Sequence, residues 1–139
     1  MKNISEILLF PVKGKGMYEI TKHTTDWINK NKINQGQLNL FIQHTSASLS
    51  VMENASSDVL EDINDFFLKL VPEDSSLYKH GYEGDDDMTA HIKSMLTQTY
   101  LRIPNNKSKL LLGTWQGIYL YEHRYKTKSR EISYNFIGI

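Results

Sequence analysis

Eight short stretches of apolar and β-branched residues, separated by turn signals, predict β-strands. They are residues 4–12, 17–20, 38–44, 47–52, 99–103, 109–112, 118–123 and 131–137. The stretch 38–44 alternates with a period of two, which places His44 on the same strand face as Leu40 and Ile42. Turns are expected at residues 13–16 and at residues 104–106, where glycine, or proline with asparagines, interrupts the pattern.

Helices are predicted at residues 21–32, after Asn54, and at residues 88–98. The second helix has the clearest pattern, because its apolar residues form one continuous stripe: Val59, Leu60, Ile63, Phe66, Phe67 and Leu70. Ser56 or Ser57 is expected to cap it, and Pro72 to stop it. The segment 34–36 is expected to close the first helix as a C-cap.

The order of these elements predicts the fold class. Strands cluster at both ends of the chain with helices between them, which favours α+β over an alternating α/β fold. The length of 139 residues indicates one domain spanning residues 1–139. We therefore expect a compact single α+β domain with a mixed or antiparallel β-sheet core and two to three helices.

The charge balance narrows the partners that the chain can bind. Sixteen basic residues balance sixteen acidic ones, so no global field favours nucleic acid or an anionic membrane. The absence of cysteine excludes a disulfide scaffold, a thiolate zinc site and a cysteine nucleophile. The apolar run at residues 7–10 is shorter than the roughly 7–15 residues of a secretory signal, and no stretch approaches the roughly 20 residues of a membrane span. A cytoplasmic location is expected.

The first candidate site residue is His44, at the end of an apolar strand face. The small hydroxylated residues Thr45 and Ser46 follow it, which leaves room for a ligand and offers donors to an anion. The alternative is a core histidine bonded to the backbone, and strand phase alone favours that alternative.

A second candidate set lies at the start of the third predicted helix, after three consecutive aspartates at 85–87. Asp87 and His91 are four residues apart and Ser94 is three further on, so all three share one helix face. A carboxylate and an imidazole one turn apart can bind a divalent cation or act as an acid–base pair. An aspartate is also the ordinary N-cap of a helix, and the two readings are evenly balanced.

Further candidates lie at strand ends and in a turn. The sequence Glu122-His123-Arg124 ends a strand, a place where a sheet commonly presents a site, although taken alone it is more often a solvated strand end. Glu53 and Asn54 precede a helix N-terminus, which suits anion or metal binding.

Trp115 and Gln116 lie between two glycines, in a predicted turn or bulge, and could line a pocket for a flat heterocycle. A structural tryptophan is the alternative. His23 and His80 have no neighbours of this kind and are left out of the candidate set.

These motifs together resemble the YjbQ family, in the same order and over essentially the whole chain. The segments that carry the resemblance are Gln43-His44-Thr45-Ser46-Ala47-Ser48-Leu49, Glu53-Asn54, Val71-Pro72, Gly84-Asp85-Asp86-Asp87-Met88, Ala90-His91-Ile92-Lys93-Ser94, Leu112-Gly113-Thr114-Trp115-Gln116-Gly117-Ile118 and Glu122-His123-Arg124. The last of these matches only one branch of the family, so His123 is the least secure of the candidate histidines.

The resemblance implies a homotrimer, a secondary thiamine-phosphate synthase activity and one polar pocket. Carried over by position, that pocket uses His44, Glu53, Asn54, Asp86, Asp87, His91, Gln116 and Glu122. In this hypothesis a small phosphorylated substrate contacts Thr45, Ser46, Asn54, Ser94, Trp115, Gln116, Glu122 and Arg124, and His44, His91 and Glu53 are catalytic.

Thiamine-phosphate synthesis joins a pyrimidine diphosphate to a thiazole phosphate and releases pyrophosphate. A Mg²⁺-type cation on Asp86 and Asp87 would neutralise the pyrophosphate, with Lys93 and Arg124 available for phosphate.

Two further hypotheses stay open. One is a metal-dependent hydrolase in which His44, His91 and His123 surround a transition metal such as zinc. The other is a non-catalytic, ligand-binding trimer. In any trimer we expect the site between subunits, because a domain of this size has limited room for a deep pocket of its own.

Overall fold

The computed structural model describes all 139 residues and contains eight strands and three α-helices. The strands are β1 (Lys2–Pro11), β2 (Gly16–Glu19), β3 (Gly36–Ile42), β4 (Ala47–Glu53), β5 (Tyr100–Asn106), β6 (Lys109–Leu110), β7 (Gln116–Glu122) and β8 (Ser129–Gly138). The helices are α1 (Thr21–Lys30), α2 (Ser57–Leu70) and α3 (Asp87–Leu96), with a short 3-10 helix at Ser75–Leu77. None of the helices is long and apolar enough to cross a membrane. The predicted α+β class is confirmed.

The strands form two sheets in which every pairing is antiparallel. The larger sheet has the order β1-β8-β3-β5-β6, and the smaller one has the order β2-β7-β4. Leu40 of β3 and Tyr134 of β8 point into a shared core with Leu49 and Leu120 of the smaller sheet. Alternation puts Phe41 on the opposite, exposed face of the larger sheet.

Strand β7 is covered on both faces, and its C-terminal end is buried as a result. Ile118 and Leu120 face the core, whereas the ring of Tyr121 packs against Phe67 of α2 with centroids 6.1 Å apart. Every residue from Gly117 to Glu122 is buried. The charged end of this strand is therefore inside the protein rather than at a solvated edge.

Helix α2 occupies the predicted position, but its apolar stripe is only partly covered. No residue of α2 is buried, and Phe66 and Leu70 are 59% and 53% exposed. Val59, Leu60, Ile63 and Phe67 are half-buried, and Phe67 packs against Tyr121 of the smaller sheet. The predicted stripe is therefore only partly covered in one chain.

The predicted turn at residues 104–106 is wrong. Strand β5 continues through Asn106, and the chain turns at Lys107 and Ser108. Both turn residues have positive φ, 51° and 61°, as a two-residue hairpin of type I′ requires. Pro104 lies within β5 without an N–H to donate, and its carbonyl accepts a hydrogen bond from the N–H of Leu111.

The expected C-cap at residues 34–36 is also wrong. Helix α1 ends at Lys30, and Lys32 takes the left-handed conformation with φ 51°. Gly36 instead opens β3, where it packs against the backbone of β8. A Cβ at this position would lie 2.2 Å from the carbonyl oxygen of Ile137, so close packing explains the glycine.

Candidate functional site

The antiparallel pairing of β4 with β7 divides the candidate residues between two ends of the smaller sheet. Ala47 is paired with Glu122 at one end, and Glu53 with Gln116 at the other. Seven strand residues span roughly 20 Å. Within one chain the candidate residues therefore lie in two separate groups, one at each end of the smaller sheet.

An open pocket of about 520 Å³ lies between β3 and α3. It is lined by His44, Thr45, His91, Ser94, Met95, Thr97 and Thr99. All of these side chains except Met95 can form hydrogen bonds. The volume suits a small molecule. The pocket brings together two of the predicted catalytic residues, His44 and His91, with the predicted ligand-binding residues Thr45 and Ser94.

His44 is held by the backbone of β8. Its Nε2 lies 2.9 Å from the N–H of Glu131 and accepts a hydrogen bond from it. In a neutral imidazole the proton is then on Nδ1. Partial burial, reinforced by the nearby charge of Arg130, lowers the pKa of His44 below its usual value. His44 is therefore a neutral ring that carries its donor on Nδ1.

His91 has the opposite arrangement of donor and acceptor. Its Nδ1 lies 2.9 Å from the carbonyl oxygen of Thr45, and since a carbonyl only accepts, Nδ1 carries the proton. In the neutral ring Nε2 then has a free electron pair. This atom lies 3.5 Å from Oδ1 of Asp87, one helical turn earlier in α3.

Asp87 is buried, with 1% of its surface exposed, and it contacts three residues from different segments. Its Oδ1 accepts a hydrogen bond from Nη1 of Arg124 at 2.5 Å. Its Oδ2 lies 2.8 Å from Nε2 of His80 but has no hydrogen-bond partner. No local pattern indicated His80, because it lies in the loop before α3 and only the path of that loop brings it to Asp87.

Asp86 is held by Arg124 as well. Its Oδ2 accepts hydrogen bonds from Nε of Arg124 at 3.1 Å and from the N–H of Tyr125 at 2.9 Å. Burial alone would raise the pKa of Asp86, but these hydrogen bonds and the guanidinium charge outweigh it and lower the pKa. One arginine thus binds both aspartates, and they do not form an open pair for Mg²⁺.

Glu122 and Ser46, both predicted to bind ligand, belong to a buried ion pair instead. Glu122 is fully buried, and Arg130 binds both of its oxygens, through Nε at 2.7 Å and Nη2 at 2.6 Å. The N–H of Arg124 adds a third hydrogen bond to Glu122. The same Nη2 donates to the carbonyl and hydroxyl oxygens of Ser46. No oxygen of Glu122 is left for a ligand.

His123 is buried away from the pocket, with 1% of its surface exposed. Its Nε2 lies 2.9 Å from the hydroxyl oxygen of Ser48. Burial, together with the charges of Lys93 and Lys15, lowers the pKa of His123 to about 3. The structure does not bring His44, His91 and His123 together, because the one set of three converging potential ligands contains His91 but neither His44 nor His123. Lys93 is also buried, so it does not present its charge to the pocket.

The remaining candidates form a polar group at the other end of the smaller sheet. Asn54 donates a hydrogen bond from Nδ2 to Oε2 of Glu19 at 3.2 Å, a contact that no local pattern indicated. Gln116 accepts one at Oε1 from the N–H of Gly113 at 2.7 Å, which closes the predicted turn. Trp115 beside it is 62% exposed.

The sequence is similar to proteins of one family throughout its length. The family profile described as "UPF0047 protein YjbQ-like" matches residues 6–139. A UPF0047 protein from Synechocystis is 43% identical over 133 residues, covering 96% of this chain and 90% of that protein. The UPF0047 protein YjbQ of Escherichia coli O157:H7 is 43% identical over 126 residues, covering 90% of this chain and 91% of that protein.

Solved structures of similar proteins superpose on this chain over nearly its whole length. A YbjQ-like protein of unknown function from Sulfolobus solfataricus superposes with a TM-score of 0.88, covering 99% of both chains at 23% identity, which supports the fold alone. An uncharacterised YjbQ/UPF0047 protein from Clostridium acetobutylicum gives a TM-score of 0.84 at 30% identity, covering 95% of this chain and 99% of that one. This chain belongs to the YjbQ/UPF0047 family.

Proposed function

We propose that this protein is a hydrolase that acts on a small phosphorylated molecule in the pocket between His44 and His91. The observation that supports it is the pair of imidazoles that line one pocket with opposite hydrogen-bonding roles. His44 carries its donor on Nδ1, and His91 keeps an electron pair on Nε2. One ring can therefore accept a proton from water, and the other can donate a hydrogen bond to a phosphate oxygen.

The hydrolysis assigns one step to each histidine. His91 accepts a proton at Nε2 from a water molecule, whose oxygen forms the new bond to phosphorus. The ester P–O bond breaks and the leaving oxygen takes a proton from solvent, so that an alcohol and inorganic phosphate are released. His44 donates a hydrogen bond from Nδ1 to a phosphate oxygen, and the hydroxyl groups of Thr45 and Ser94 offer further donors.

The test is phosphate release from a panel of esters that includes p-nitrophenyl phosphate and nucleoside monophosphates. His91→Ala should lose about 10²–10⁴-fold of the rate, the usual contribution of general acid–base catalysis. His23→Ala is the matched control, because His23 is an exposed histidine on α1 outside the pocket. Absence of phosphate release across the panel, or an unchanged rate in His91→Ala, would contradict the proposal.

Thiamine-phosphate synthesis, the activity that the resemblance implies, is the second candidate. The polar pocket and its volume of about 520 Å³ favour a small phosphorylated substrate of this kind. It ranks second because Arg124 binds both Asp86 and Asp87, the carboxylates expected to hold the pyrophosphate cation. Incubation with the pyrimidine diphosphate and the thiazole phosphate should give thiamine phosphate, and His44→Ala and His91→Ala should abolish its formation.

We also propose that the protein is a cytoplasmic homotrimer. It is supported by the separation of Glu53, Asn54, Trp115 and Gln116 from the pocket within one chain. A second copy would have to bring these residues to the pocket across an interface, and Glu53 would act there. Solution mass at micromolar concentration checks this, and a monomer would contradict it.

A further inference from the structure

His80, Asp87 and His91 bring three potential metal ligands to one point. The ligand atoms all lie within 4.8 Å of one another. Asp87 and His91 are one turn apart on α3, and the rings of His80 and His91 have centroids 5.9 Å apart. Ligands at 2.0–2.1 Å from a tetrahedral zinc ion are roughly 3.3 Å from each other, so this spacing needs only small side-chain adjustments.

The carboxylate of Asp87 has an unsatisfied oxygen that points to this site. Oδ2 is buried without a hydrogen-bond partner, although Nε2 of His80 is only 2.8 Å away. A buried, unpaired carboxylate oxygen is costly. A cation bound between the oxygen and the imidazole nitrogen removes that cost.

The orientation of His91 is compatible with the same site. Because Nδ1 donates to the carbonyl oxygen of Thr45, Nε2 is the ring nitrogen that faces the Asp87 carboxylate. A proton or a metal ion between these two atoms is favourable, and the zinc titration below distinguishes the two. A second hydrogen bond that fixes the ring through its other nitrogen is also the usual support of a metal-binding histidine.

The ligand types select the class of metal. Two imidazoles and one carboxylate are the protein ligands of a common catalytic zinc site, whereas Mg²⁺ and Ca²⁺ prefer sets made only of oxygen. Arg124 binds Oδ1 of Asp87 and leaves Oδ2 for the metal. The side chains of His80 and His91 are 36% and 32% exposed, which gives an ion and a water molecule access from solvent.

We propose that His80, Asp87 and His91 form a binding site for a transition-metal dication of the zinc class. The site contains neither His44 nor His123. It adjoins the pocket through His91. A metal bound there would occupy Nε2 of His91, so a metal-bound water of lowered pKa would replace that nitrogen as the means of activating water. Metal binding at this site does not depend on the proposed hydrolysis.

The experiment is zinc titration of EDTA-treated, re-purified protein by calorimetry, with Mg²⁺ in a parallel titration. The wild type should bind one zinc ion per chain and show no binding of Mg²⁺. His80→Ala should weaken zinc binding by more than the about 10–100-fold that loss of an outer-shell partner costs. His23→Ala, an exposed histidine remote from the site, and His44→Ala should bind zinc as the wild type does.

His80→Ala is the decisive variant, because His80 lies in a loop and its removal leaves the hydrogen bonds of Asp87 with Arg124 and of His91 with Thr45 in place. Circular dichroism checks its fold, and visible absorption of bound Co²⁺ gives a second readout. Failure of the wild type to bind zinc, or unchanged binding in folded His80→Ala, overturns the proposal. Zinc binding without phosphate release would support this site and count only against the hydrolase.

Discussion

Two buried carboxylates, Glu122 and Asp87, lie near the end of β7 and differ in how they are satisfied. Both are at most 1% exposed, and each is paired with an arginine. Both oxygens of Glu122 accept hydrogen bonds, whereas Oδ2 of Asp87 accepts none. A fully paired buried charge is typical of a structural role. A buried carboxylate that keeps one oxygen without a hydrogen bond, beside an open pocket, indicates a ligand site.

The difference arises from the two arginines. Arg130 binds Glu122 with two nitrogens and is itself buried. Arg124 divides its donors between Asp86, Asp87 and the carbonyl of Glu83, so that Asp87 receives one hydrogen bond only. A buried carboxylate–arginine pair is therefore complete at Glu122 and incomplete at Asp87.

The largest expected loss of stability comes from breaking the ion pair between Glu122 and Arg130. Glu122→Gln should lower the free energy of unfolding by about 3–5 kcal/mol, because the charge of Arg130 is left buried without its partner. Urea denaturation measures this. Lys22→Met, which breaks the exposed pair with Asp26, is the control and should cost about 1 kcal/mol or less. A loss below 1 kcal/mol in Glu122→Gln would show that the pair has no structural role.

A smaller loss of stability is expected when Asp87 is replaced. Asp87→Asn should lower the free energy of unfolding by about 1.5–3 kcal/mol, the range for a hydrogen bond to a charged group. Arg124 keeps its contacts with Asp86 and Glu83, so the loss is limited. The same urea titration applies, and a loss as large as in Glu122→Gln would remove the distinction between the two carboxylates.

The buried His123 predicts a dependence of stability on pH. Its pKa is lowered from 6.5 to about 3 in the folded protein, so unfolding takes up a proton as pH falls below 6.5. As the pH falls from 6.5 to 5, His123 should lower the free energy of unfolding by about 1.5 kcal/mol. His123→Gln, which can still bond to Ser48, should flatten the pH profile. An equal slope in that variant would assign the effect to other groups.

The smallest effect on stability is expected in the pocket. His91→Ala loses one partly exposed hydrogen bond, to Thr45, and should lower the free energy of unfolding by about 0.5–1 kcal/mol. Phosphate release should nevertheless fall about 100-fold or more. Urea titration and the rate assay on one preparation compare the two losses. A stability loss above 2 kcal/mol would mean that His91 is part of the structural network.

Local periodicity predicted the strands and helices well. It failed at positions where contacts of the backbone determine the conformation. Alternation located the strands, and the apolar stripe located α2, because both patterns follow directly from side-chain geometry. The turn at Lys107 and Ser108 was missed because neither residue is a usual residue of a left-handed turn. Gly36 was misassigned because its close contact with β8 comes from the opposite end of the chain.

The site was predicted in part, for a similar reason. The i, i+4 spacing correctly placed Asp87 and His91 side by side, and strand phase placed His44 at the end of β3. His80 was missed because a loop path cannot be read from spacing. Glu53 and Gln116 were expected in the same pocket, but the register of β4 with β7 separates them from it. That register depends on long-range pairing, which no local pattern contains.

The central claim is that His80, Asp87 and His91, rather than the three histidines 44, 91 and 123, form the metal site beside the pocket. Anomalous diffraction at the zinc edge from zinc-soaked crystals tests it most directly. The expected result is one peak at about 2.0–2.2 Å from Nε2 of His80, Oδ2 of Asp87 and Nε2 of His91. A peak on His44 or His123, or no peak at Asp87, would contradict it.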